Sequence, residues 1–83
     1  KQAYLITTPK IPITLNGTGD ITAAFFTYFY LKIKKLDQAL EETVNRLFVL
    51  IKDTHENKER ELRLVENQDS IVNCELKFKA KSL

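Results

Sequence analysis

The 83-residue sequence contains no methionine and no tryptophan, and it has one cysteine, one histidine, two glycines and two prolines. Because Cys74 has no second cysteine to pair with, an internal disulfide is excluded, and we expect a reducing, cytoplasmic location. No cluster of histidine, cysteine or carboxylate residues has the spacing of metal ligands. Since methionine is absent, we expect that the sequence has been processed or belongs to a longer protein.

The charge of the chain is nearly balanced, with 13 basic and 11 acidic residues and a net charge of +2. So small an excess does not favour nucleic acid or an anionic membrane as a partner. The apolar residues 21–31 are too few to span a bilayer, and Thr22 and Thr27 interrupt them. We therefore predict one small domain, residues 1–83, that binds neither nucleic acid nor membrane.

Apolar patterning divides the chain into seven segments. Strand-forming residues that stop at Thr8 and Pro9 predict a first strand. Apolar residues at spacings of three and four predict a long helix, for which Asp37 is the candidate N-cap. The predicted order is a strand at 3–7, an extended segment at 11–15, helices at 21–33 and 38–56, a short strand or coil at 61–65, a short helix within 66–72 and a strand at 76–80.

The predicted helix at 21–33 has apolar residues nearly all the way round. Such a helix is normally buried on most of its surface. The rest of the chain is too short to cover it, which is a second indication that partner structure lies outside these residues.

Gly17, Thr18, Gly19 and Asp20 form a loop that opens this apolar helix. The first amides of a helix have no partner within it, and the positive end of the helix dipole lies behind them, so the loop can bind an anion such as phosphate. Asp20 at the rim could accept a proton from an alcohol. A purely structural turn with Asp20 as N-cap is the alternative. The P-loop and the dinucleotide fingerprint are both excluded by their missing residues.

The string NGTGDITAA at residues 16–24 resembles the anion-hole signature of the ribokinase-like sugar and vitamin kinases. ELRLV at 61–65, QDSI at 68–71 and FKAKSL at 78–83 resemble the C-terminus of bacterial pyridoxal kinases. The resemblance implies an α/β fold: residues 1–83 would be the C-terminal, nucleotide-side part of one ribokinase-like domain with three α/β/α layers.

The resemblance implies ATP-dependent phosphorylation of the 5′-hydroxymethyl group of pyridoxal, in a cytoplasmic homodimer. Asp20 would bind the substrate and act as the catalytic base, and Mg²⁺ would be held by residues outside this chain or by the nucleotide. The family's nucleotide-contacting stretch, commonly Arg-Pro-x-x, corresponds to residues 8–11 of this sequence, where Thr8 stands in place of the usual arginine. The phosphate-binding residues implied are Gly17, Thr18 and Gly19, and the ATP-binding residues are Thr8, Pro9, Lys10 and Ile11.

Two alternatives stay open from the sequence. A related kinase could act on a sugar or nucleoside, because the alcohol pocket is not encoded in these residues. A non-catalytic α+β module that self-associates through its apolar helix is the second alternative. In the kinase interpretation, we expect the 83 residues alone to be catalytically inactive.

Overall fold

Three helices and two short strands make up the part of the chain that the structure, a computed structural model, describes: residues 3–11, 18–59 and 62–82. The elements in chain order are β1 (Tyr4–Leu5), α1 (Thr18–Ile33), α2 (Leu36–Glu56), α3 (Gln68–Val72) and β2 (Lys81–Ser82). The strands pair antiparallel, with Tyr4 opposite Ser82 and Leu5 opposite Lys81. Helix α2 packs against both α1 and α3 and therefore lies at the centre.

The buried side of α2 is made largely of polar residues. Of the residues described, the buried hydrophobic ones are Ala39 and Leu50, and the buried polar ones are Thr43, Asn45, Arg46 and Thr54. Each threonine hydroxyl donates to the carbonyl four residues earlier, at 2.8 Å from Thr43 to Ala39 and 2.7 Å from Thr54 to Leu50. Both buried threonine hydroxyls therefore have a hydrogen-bond partner, so their burial does not carry the free-energy cost of an unsatisfied polar group.

Asn45 holds the C-terminal segment against α2. Its Nδ2 donates to the Phe78 carbonyl and its Oδ1 accepts from the Phe78 amide, both at 2.8 Å. Glu41 Oε2 accepts from the Ala80 amide at 2.8 Å. The Phe48 and Phe78 rings meet edge to face with centroids 4.8 Å apart. Side chains of α2 thus satisfy backbone groups that a neighbouring strand would satisfy in a sheet.

Arg46 connects α2 to both other helices. Its Nε donates to the Ile71 carbonyl of α3 at 2.6 Å, and its Nη1 donates to Glu42 Oε1 at 2.5 Å. The guanidinium carbon lies 4.4 Å from the centroid of the Phe29 ring of α1. The carboxylate, the carbonyl and the aromatic face together offset the free-energy cost of burying the charged guanidinium.

Several predicted boundaries are wrong. Helix α1 begins at Thr18, three residues before the predicted start, so Asp20 lies in its first turn. Helix α2 begins at Leu36 with Lys35 as its N-cap, and the predicted cap Asp37 lies in the first turn. Both carboxylates still face the positive end of a helix dipole, where they are stabilising.

The predicted strands are shorter or displaced. The first strand is confirmed only at Tyr4–Leu5. The closing strand is found at Lys81–Ser82, because Asn45 and Glu41 accept hydrogen bonds from backbone amides of the predicted strand segment. Residues 62 and 63 are neither helix nor strand and residues 64–67 form turns, so of the short strand or coil expected at 61–65 the described residues show coil. Of the extended segment predicted at 11–15, all but Ile11 lies outside the described residues.

The expectation that the rest of this chain is too short to cover α1 is confirmed. No residue of α1 is buried, and one side of the helix is exposed along its length. Lys34, which follows α1, has a positive φ of 61°, and its amide donates to the Tyr30 carbonyl at 2.7 Å. This left-handed residue closes the helix and turns the chain into α2.

Replacement of Asn45 by alanine should lower the free energy of unfolding by about 2–3 kcal/mol, because both backbone groups of Phe78 lose their partner in a half-buried position. Chemical denaturation measures this change. Asn57→Ala is the matched control, since the Asn57 amide bonds to Asp53 on the exposed end of α2. A loss of similar size in the control would contradict the role given to Asn45.

Acid should destabilise the fold through Asp53. Its pKa lies below the ordinary value of 3.8 because hydrogen bonds from Asn67 and Arg63, each 2.8 Å from Oδ2, favour the charged carboxylate. The stabilisation is complete above the ordinary pKa and is lost as the pH falls through the lowered one. Asp53→Asn should remove this part of the pH dependence, and Asn67→Ala should reduce it. Unfolding curves recorded at several pH values test both, and an unchanged dependence in Asp53→Asn would refute the assignment.

Candidate functional site

A cleft of about 350 Å³ lies between the segment after β1 and the apolar side of α2. Its rim includes Thr18, the first residue of α1. Four consecutive residues of the segment also line it: Thr8, Pro9, Lys10 and Ile11. The floor consists of Val44, Leu47, Phe48 and Ile51 of α2. A concave, mainly apolar space of this volume is typical of small-ligand sites.

The structure therefore brings together residues that the sequence separates. Thr8, Pro9, Lys10 and Ile11 were expected to contact a nucleotide, and Thr18 was expected to bind phosphate. All five line one cleft. A base could lie on the apolar floor while phosphate groups extend towards the start of α1.

The first turn of α1 contains Thr18, Gly19 and Asp20. Amides in the first turn of a helix have no carbonyl one turn earlier within that helix, which is the usual basis of an anion site at a helix end. The Thr18 carbonyl accepts a hydrogen bond from Thr22 Oγ1 at 2.7 Å, so the hydroxyl of Thr22 is satisfied within the helix. A Cβ placed on Gly19 would meet no atom of another described element within 4 Å, so among the described residues the space beside this turn is open.

Asp20 is exposed, in the same turn as Thr18. An exposed carboxylate at this place can reach an alcohol that approaches the end of the helix. Gly17, the remaining residue of the predicted phosphate site, lies outside the described residues, as do residues 12–16. The described part of the site therefore consists of Thr18, Gly19 and Asp20 together with the cleft.

The cleft floor is the part that sequence reasoning missed. Val44, Leu47, Phe48 and Ile51 were recognised as an apolar stripe of α2, and such a stripe predicts a core face. In the structure these side chains are half-buried, while the buried side of α2 is the neighbouring row, which is polar apart from Ala39 and Leu50. The spacing correctly predicts that these residues lie on one face of the helix. Spacing alone does not distinguish a face that packs in a core from one that lines a cleft.

A second cleft, of about 420 Å³, lies on the other side of Phe48. Lys52 and Asp53 of α2, Cys74 and Lys77 are among the residues that line it. Burial raises the pKa of the Cys74 thiol, so the thiol is protonated at neutral pH and is a poor nucleophile. None of the residues predicted for the site lines this cleft.

Within residues 3–11, 18–59 and 62–82, no group of three or more His, Cys, Asp or Glu residues could hold a metal ion. Magnesium prefers several oxygen ligands in octahedral geometry. The described residues do not fit such a site. No helix in the same part of the chain is long and apolar enough to cross a membrane.

Comparison with known proteins identifies relatives along nearly the whole chain. No protein-family model matches it. The curated pyridoxal kinase PdxY of Leifsonia xyli is 42% identical over 92% of this chain and 27% of its own length. That of Corynebacterium diphtheriae is 37% identical over 98% of this chain and 29% of its own length. The chain thus spans between a quarter and a third of the length of these relatives.

A solved structure shares the fold. The crystal structure of Plasmodium falciparum PdxK with the ligands AMP-PNP and PL matches this chain with a TM-score of 0.58 at 19% identity. The match covers 96% of this chain and 27% of that one. The predicted α/β fold class and the predicted resemblance to pyridoxal kinases are both confirmed by these comparisons.

Proposed function

This chain is a relative of the bacterial pyridoxal kinases over little more than a quarter of their length, and from that premise we propose that it is part of an ATP-dependent kinase that phosphorylates pyridoxal. The product would be pyridoxal 5′-phosphate, formed at the 5′-hydroxymethyl group. The observation that carries the proposal is the single cleft lined by residues 8–11 and Thr18. The names of the relatives support the choice of pyridoxal over a sugar or nucleoside acceptor.

The nucleotide would occupy this cleft. The apolar floor of α2 suits the face of a base, and Lys10 at the exposed rim can neutralise phosphate charge. The amides of Thr18 and Gly19, with Gly17 before them, would bind the transferring phosphate through the helix dipole and direct hydrogen bonds. Hydrogen-bond donors placed where negative charge develops would stabilise the transition state, which is the largest single source of catalysis in many enzymes.

Asp20 would act as the general base. Its carboxylate oxygen would accept the proton of the alcohol, which makes the alcohol oxygen a better nucleophile. As that oxygen bonds to the terminal phosphorus of ATP, the bond from this phosphorus to ADP would break and ADP would leave. Such assistance contributes a factor of about 10²–10⁴ in rate. The exposed position of Asp20 in the first turn of α1 allows an acceptor to approach it.

The remaining assignments concern the complete protein. We propose that it is a cytoplasmic homodimer that uses Mg²⁺ with ATP, and that the metal ligands lie outside these 83 residues or on the nucleotide. Magnesium supplies charge neutralisation at the phosphates. The acceptor pocket would be formed by other parts of the chain, so the 83 residues alone would be inactive. A non-catalytic module, the alternative from the sequence, would show no nucleotide binding in the complete protein.

In the complete kinase, Asp20→Asn should lower turnover of pyridoxal at least about a hundredfold while ATP binding is preserved, because only the proton acceptor is lost. Steady-state kinetics and ATP titration calorimetry measure the two effects. Asp37→Asn is the matched control, since Asp37 also lies in the first turn of a helix. Near-normal turnover in Asp20→Asn would contradict the role of general base.

Val44→Trp should weaken ATP binding at least about tenfold, about 1.4 kcal/mol, because the larger ring fills the cleft floor. The Michaelis constant for pyridoxal should change little. Val65→Trp is the control: it makes the same substitution at a residue that is 74% exposed and does not line the cleft. Unchanged ATP affinity in Val44→Trp would place the nucleotide elsewhere.

A further inference from the structure

The C-terminal segment is fixed on α2 at two nearby points, Phe78 and Ala80. Asn45 of α2 bonds both backbone groups of Phe78, and Glu41 accepts from the Ala80 amide, each at 2.8 Å. Asn45 Nδ2 also donates to the Glu41 carbonyl at 2.8 Å, so the Asn45 side chain is itself held in one orientation. The backbone of Phe78 therefore has one position relative to α2, and its ring can point only in the few directions that staggered rotamers allow.

The ring of Phe78 packs against the ring of Phe48 on α2. The two centroids lie 4.8 Å apart and the ring planes make an angle of 68°, which is the edge-to-face arrangement that aromatic pairs prefer. Both residues are half-buried. The hydrogen bonds that fix Phe78 and the contact between the rings all join residues of this chain, so the pair is built by α2 and the C-terminal segment alone.

Phe48 lines both clefts, whereas Phe78 lines the second cleft but not the first. The Phe48 ring therefore separates the first cleft, in which the nucleotide is proposed to bind, from the second. A phenylalanine on a helix has two common χ1 rotamers, and these direct the ring towards different neighbours. Because the Phe78 ring occupies the space beside Phe48, the Phe48 ring is kept where it forms part of the floor of the first cleft.

We propose that Phe78 is a positioning residue for the nucleotide, which acts by holding the Phe48 ring in the floor of the first cleft. The proposal rests on the proposed function, since it takes ATP as the occupant of that cleft. Phe78 does not line the cleft, so its effect on ATP passes through Phe48. A ring that is already fixed loses less conformational freedom when a base packs against it, and the base is bound more tightly as a result.

The effect of Phe78 is expected on ATP binding and not on the chemical step. The residues proposed to bind the transferring phosphate and to accept the proton lie in the first turn of α1, whereas Phe48 lies in α2. Loss of the aromatic pair therefore raises the Michaelis constant for ATP and leaves turnover at saturating ATP unchanged. A residue that served only the stability of the fold would not separate the two constants in this way.

The experiment is a double-mutant cycle in the complete kinase, with ATP affinity measured by titration calorimetry and by steady-state kinetics. It consists of Phe48→Leu, Phe78→Leu and the double variant. We expect Phe78→Leu to weaken ATP binding about fivefold, within the range that one aromatic pair contributes, while the Michaelis constant for pyridoxal is unchanged. The double variant should bind ATP no more weakly than Phe48→Leu alone, because Phe78 acts on the nucleotide only through Phe48.

Three further variants separate positioning from general stability. Phe78→Tyr keeps a ring edge beside Phe48 and should bind ATP within about twofold of the unchanged protein. Phe78→Met keeps apolar volume without a ring, so it should show the same loss as Phe78→Leu and replaces it if the leucine variant does not fold. Phe26→Leu is the matched control and should bind ATP normally, because the half-buried Phe26 ring stacks on Tyr30, with centroids 5.9 Å apart, and not on Phe48.

Unchanged ATP affinity in both Phe78→Leu and Phe78→Met would overturn the proposal and leave the nucleotide cleft standing. Additive losses in the double variant would overturn it as well, since Phe78 would then reach ATP by a route that does not include Phe48. An equal loss in Phe26→Leu would reduce the effect to one of general stability, with the same consequence. If the unchanged protein binds no ATP, the proposed function itself fails and this inference fails with it.

Discussion

The two hydrogen bonds between Asn45 and the backbone of Phe78 are the interaction on which the described structure most depends. They attach the C-terminal segment to α2 and so bring β2 beside β1. One side of α2 makes polar contacts with the C-terminal segment, and its apolar stripe is therefore not buried in a hydrophobic core. That stripe becomes the floor of the cleft. Helix α2, whose sequence has a simple amphipathic pattern, therefore has a largely polar buried side and an apolar side that lines the cleft.

The same arrangement creates the candidate site. Helix α2 holds α1 through Arg46 and Phe29, and this contact sets where the first turn of α1 lies. Thr18 then meets the segment after β1 across the cleft. An anion site at a helix end and an apolar floor are separate features of many folds. Their combination in one cleft, with a carboxylate in the same helical turn, is what suits a kinase that binds a nucleotide and an alcohol.

How much could be predicted from the sequence differs between the elements. The long helix was predicted nearly in full, because its apolar spacing and its polar ends are local signals. The start of α1 was placed too late, since Gly19 is a helix breaker by propensity, yet it occupies the first turn, where the missing hydrogen bonds cost little. The segment at 76–80 alternates like a strand, but Asn45 and Glu41 bind its backbone. No local pattern encodes those contacts, which span more than 30 residues.

The central claim is that a nucleotide binds between residues 8–11 and the start of α1. A crystal structure of the complete protein with a non-hydrolysable ATP analogue tests it most directly. The account predicts the base on the α2 floor beside Val44 and Phe48, and the terminal phosphates at the amides of Thr18 and Gly19 with Asp20 facing the acceptor side. A nucleotide bound away from this cleft, or an Asp20 carboxylate turned from the phosphates, would contradict it.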